Sequence, residues 1–87
     1  MHAVVARVSI EDVESAQTFL KTEVVPGVSQ APGFVTGHWT LKENSGLSMI
    51  IFESEAAAQV VSDRMPTMVP EGVTLESVEV REVVAHA

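Results

Sequence analysis

Apolar residues change their period along this chain in the order strand, helix, strand, strand, helix, strand, and no other feature restricts the fold as strongly. Residues 2–8 alternate and are rich in β-branched side chains, as a first strand requires. From Val13 the period becomes helical, with Val13, Ala16, Phe19, Leu20 and Val24 on one stripe. Ser9 is the expected N-cap of that helix, with Asp12 as its acidic partner three residues on. Pro26-Gly27 is expected to stop or kink the helix near Val25, because proline offers no N–H to the next turn, with room for a short extra turn over Val28-Ser29-Gln30-Ala31. Pro32-Gly33 breaks the chain before a second strand at 34–42. Glu43-Asn44-Ser45-Gly46 reads as a four-residue hairpin connection into a third strand at 47–52. Ser54 caps a second helix over 56–65, whose expected stripe holds Ala57, Val60, Val61, Arg64 and Met65. Pro66 and Pro70 bound a loop, and a last strand covers 73–84.

Six elements in 87 residues make one domain. A chain of this size buries only about 60–65% of its unfolded surface, so its core is small. Right-handed crossovers leave few topologies for βαββαβ. The expected one is α+β and ferredoxin-like: an antiparallel four-stranded sheet in the order 4-1-3-2 with both helices on one face. Alternation then divides each strand between two faces. Val4, Ala6, Val8, Val35, Trp39, Leu41, Ile50, Phe52, Val78, Val80 and Val84 are expected under the helices. The other face mixes Val5, Phe34, Leu47, Met49, Ile51 and Leu75 with Arg7, His38, Glu79 and Arg81. Arg7 and Glu79 are expected to approach across adjacent strands. A sheet face wetted by solvent is usually more polar than this one, so its pairing with the same face of a second subunit is expected.

The formal net charge is −7, a field that repels polyanions, and no nucleic-acid partner is expected. No apolar run approaches the ~18 residues of a membrane span. The first residues show no basic stretch followed by an apolar run, so a cytoplasmic location is expected. There is no cysteine, which excludes disulfides and thiolate metal sites.

The element order, together with Pro32-Gly33-Phe34, Gly37-His38-Trp39 and the run Ile50-Ile51-Phe52-Glu53-Ser54-Glu55-Ala56-Ala57, resembles the dimeric α/β-barrel superfamily. The likeness covers nearly the whole chain and is greatest to the small antibiotic-biosynthesis monooxygenase-like members. It implies a homodimer whose two sheets form a barrel with the helices outside. It also implies a pocket between each sheet and its own helices. Members with oxygenase activity act on aromatic substrates without metal or flavin, so no cofactor is expected.

Two functions follow as expectations. One is a cofactor-independent monooxygenase-like enzyme acting on a small aromatic or polyketide-like compound. The other is a non-catalytic homodimer that binds a small hydrophobic or aromatic ligand or serves a stress-related role. Trp39, the sole tryptophan, either walls an aromatic pocket or fills the core over Gly37. His38 is the candidate acid or base, or else an interface histidine. Phe19 and Phe52 are candidate ligand contacts. Arg7 and Arg81 either hold an anionic ligand group or belong to a charge network that sets strand register. Met65 and Met68 either line a pocket entrance or fill the core. His2 and His86, near the chain ends, are expected in solvent, and the histidine spacing points to no metal site.

Overall fold

Four strands, β1 (His2–Ile10), β2 (Phe34–Lys42), β3 (Ser45–Phe52) and β4 (Val73–Glu82), form one antiparallel sheet in the order β2-β3-β1-β4. This is the expected 4-1-3-2 order read from the other edge. The computed structural model describes all 87 residues. One helical arm crosses from β1 to β2 as α1 (Val13–Phe19), a π-helical turn (Leu20–Val24) and α2 (Val25–Ser29) without a break. The second arm, α3 (Glu55–Arg64), links β3 to β4 and ends in a 3₁₀ turn, Met65–Thr67. Both arms lie on one face, where Val28 of α2 and Ala58 and Val61 of α3 meet Val4, Ile50 and Phe52 of the sheet. The layout is α+β and ferredoxin-like.

The first arm corrects two expectations. Its N-cap is Asp12, not Ser9, because β1 runs on to Ile10. The hairpin turn holds that extension: the Ile10 N–H donates to the Asn44 carbonyl, and the Asn44 amide donates to the Ile10 carbonyl, each at 2.8 Å. The Asp12 carboxylate accepts from the Ser15 N–H and from the Ser15 hydroxyl, both at 3.1 Å. Those bonds, the backbone one first, hold its carboxyl below the ordinary value of 3.8. The arm also does not stop at Val25. In the π turn the Val25 N–H reaches back to the Leu20 carbonyl, a slip of one residue. The slip puts Pro26 in the first turn of α2, where no intrahelical donor is required, so the chain continues through Pro26-Gly27.

Two β-bulges revise the face assignments. Phe34 lies opposite Phe52, yet Thr36 lies opposite Ile51, so Val35 is the extra residue. Phe34 therefore turns under the helices and meets Phe52 edge-on, with ring centroids 6.1 Å apart at 78°. Val35, expected in the core, is exposed. Gly33 makes the approach to this bulge possible: it has φ +81°, and a Cβ there would stand 2.9 Å from that of Ala57. In β4 the register shifts between Arg7, opposite Ser77, and Val8, opposite Leu75. Leu75 thus joins the helix side instead of the mixed face. On the unshifted side of the bulge Arg7 lies opposite Ser77 and Glu79 opposite Val5, and the expected Arg7–Glu79 pair does not form. Glu79 instead pairs along its own strand with Arg81 at 3.1 Å.

Smaller departures have local causes. The hairpin turn is two residues, Glu43-Asn44, because β3 begins at Ser45, and Glu43 adopts φ +56°. Ser54 caps α3 as expected, accepting from the Ala57 N–H at 3.2 Å. The buried stripe of α3 runs through Ala58, Val61 and Ser62, which leaves Val60 half-exposed. β4 ends at Glu82, and Val84 lies beyond it in solvent. His2 is not in solvent: its ring is largely covered, and Nε2 lies 3.4 Å from the Glu55 carboxylate.

The sheet face away from the helices is uncovered in the single chain. Leu47 and Met49 are 41% and 46% exposed there, beside Val5 and Ile51. Met49 sits opposite both His38 and Val5, at the centre of an apolar strip.

Candidate functional site

The helix side of the sheet is filled at one end and hollow at the other. At the filled end, Val4, Ile50 and Phe52 are completely buried against both helical arms. Farther along the sheet, the inward positions carry Ala6 on β1 and Gly46 and Ser48 on β3. Such small side chains cannot reach the first helical arm. The result is a cavity of about 330 Å³ between that arm and the sheet. Its size falls at the low end of the ~300–1,000 Å³ that ligand pockets span. Phe19, Leu20 and Val24 form one wall, and Met65, Met68 and Val69 form another.

Trp39 stands on the sheet between these walls, opposite Ser48. Its indole lies across Gly37, where a Cβ would come within 2.7 Å of the ring. Glycine at 37 thus lets the ring lie against the strand. Gly46 has a similar role on β3: a Cβ there would meet Val8 Cγ2 at 2.8 Å.

The lining is overwhelmingly apolar, with fifteen hydrophobic residues of twenty-one. Lys21 is its only charged residue, and Gln17, Thr40 and Ser48 are its only uncharged polar residues. Thr40 already donates its hydroxyl to the Leu47 carbonyl at 2.7 Å. Such a site can exclude water, bind an apolar body and orient it. General acid–base chemistry needs a proton-transfer group within hydrogen-bond reach, and no carboxylate or imidazole lines the cavity.

The structure separates the residues singled out from the sequence. Trp39 and Phe19 come together on the cavity, with Met65 and Met68. Phe52 is sealed in the closed core and does not line it. His38, Arg7 and Arg81 lie on the opposite face of the sheet, and all three are exposed. Asn44, the only asparagine, is committed to the hairpin turn, and there is no tyrosine. No group of three or more His, Asp or Glu side chains is placed to hold a metal. No helix is long and apolar enough to cross a membrane.

Sequence reasoning passed over Gly46, Ser48 and Lys21. A signal existed for the first two: a glycine and a serine interrupt the helix-side positions of a strand whose other inward residues are Ile50 and Phe52. Lys21 gave none, since a lysine beside a helical stripe is ordinary. No protein-family model matches the chain, and no curated protein matches it.

Proposed function

We propose that this chain is a homodimer of the dimeric α/β-barrel kind, each subunit of which binds one small aromatic or polyketide-like molecule between its sheet and first helical arm. The cavity beside Trp39 carries this reading. It is concave, apolar and preformed, as small-molecule sites are. The uncovered apolar strip on the other face supports the homodimer, because an area of that kind is normally hidden.

A cofactor-independent monooxygenase-like enzyme is the second reading. The observation that favours it is the same apolar chamber with an indole in its wall. Binding takes precedence because Lys21 is the chamber's only ionisable residue.

Trp39 is its own reporter, since the chain has one tryptophan and no tyrosine. Titration with 1-nitronaphthalene, a non-fluorescent quencher, is expected to quench Trp39 emission saturably at one equivalent per chain. Trp39→Phe is expected to keep its circular dichroism and to bind the same probe about tenfold more weakly by calorimetry. Quenching that never saturates, like that of free tryptophan, contradicts the reading. If oxygen uptake accompanies turnover of an aromatic substrate, the second reading takes over.

A further inference from the structure

The polar part of the cavity defines the ligand more narrowly. Lys21 lines the cavity and is also exposed, which puts this residue where the apolar chamber meets solvent. Gln17 lies one helical turn earlier, on the same side of the arm, and lines the same opening. Neither side chain makes an ion pair or a side-chain hydrogen bond within the chain. Both are free donors at the mouth.

Their surroundings make this placement informative. The chain carries only five basic residues against twelve acidic ones. Arg7 and Arg81 lie on the far face of the sheet, Lys42 is at the hairpin end of β2, and Arg64 ends α3 outside the cavity lining. The single charge on the chamber is therefore positive in a molecule whose overall field is negative. The π turn contributes to this: the arm that carries Gln17 on α1 and Lys21 on the turn also places Phe19, Leu20 and Val24 against the same chamber. A wider turn thus shows one cation and an apolar wall to one ligand.

We propose that the ligand is an amphipathic anion: a flat apolar body, lying against Trp39 and Phe19, with one carboxylate at the mouth held by the Lys21 ammonium and the Gln17 amide. This rests on the cavity reading above and specifies its ligand class. The carboxylate stays half in water, so its desolvation is modest while the ring system is buried. A charge-assisted hydrogen bond from Lys21 sets the acid apart from its neutral analogue.

The test compares 2-naphthoate with 2-naphthalenemethanol, a neutral counterpart of similar shape, by calorimetry at pH 7.5 on the full chain. The acid is expected to bind about tenfold more tightly than the alcohol, the value of one charge-assisted bond. Lys21→Met is expected to remove that preference by weakening the acid alone. Lys21 is exposed, and circular dichroism of the variant reports whether the fold is kept. Equal binding of acid and alcohol to the unaltered protein, or a preference that survives in Lys21→Met, overturns the anionic assignment and leaves the cavity reading intact. Binding of neither probe at millimolar concentration overturns both.

Discussion

Phe52→Ala is expected to remove about 3–5 kcal/mol of folding stability, the usual cost of deleting a fully buried aromatic ring. Phe52 closes β3 and is completely buried. Its ring meets Phe34 edge-on, and it shares a core with Val28 of the first arm and Ala58 and Val61 of α3. Truncation removes the piece that both arms pack on, and little can move in to refill the space. Only ten of the 87 residues are buried in the single chain, so this core has no reserve elsewhere. Natural domains have about 5–15 kcal/mol in total, and a chain this small belongs at the low end. Urea denaturation followed by circular dichroism measures the effect. Phe52→Leu, which keeps most of the volume, is expected to cost clearly less. A loss below about 1 kcal/mol for the alanine variant would show that this end of the sheet is not a tightly packed core.

Met49→Glu is expected to break the proposed dimer, raising its dissociation constant at least about 100-fold. Met49 lies at the middle of the uncovered strip, between Val5 and His38 across the neighbouring strands, with Leu47 and Ile51 along its own. In a two-fold pairing of this face, each subunit would place an unpaired carboxylate in a dry interface. The same substitution on a wetted sheet changes little, because Met49 is already 46% exposed in the single chain. Sedimentation velocity across micromolar concentrations separates these cases. The unaltered protein is expected as a dimer and Met49→Glu as a folded monomer. An unaltered protein that sediments as a monomer throughout that range removes the dimer from the proposal and leaves the helix-side cavity as it stands.

The element types were legible because each has a period that sequence shows directly. The β2 boundaries agree with expectation to the residue, and the Ser54 cap was readable from its position before an alanine-rich run. Pro26 was misleading because its effect depends on register. Proline breaks an α-helix that needs its donor, but here a π turn shifts the bonding so that the donor is not needed. Phe34, Val35 and Leu75 were misplaced for a related reason. Alternation assigns faces only while a ladder keeps its count, and one extra residue inverts every assignment beyond it.

The candidate site was half legible. Trp39 and Phe19 stood out as large aromatics on helix-side positions, whereas His38, Arg7 and Arg81 attracted attention by chemical type and lie on the other face. Period and breakers in the sequence determined the order of elements, since each depends on neighbours a few residues apart, and the right-handed crossover rule then led to the ferredoxin-like sheet with two unlike faces. Only the tertiary structure decided where the sheet is filled and where it is hollow. That outcome depends on whether side chains from distant segments, Ala6, Gly46 and Ser48 beneath Phe19, Leu20 and Val24, are large enough to meet. Volume is shared across the core and is not written at any one position.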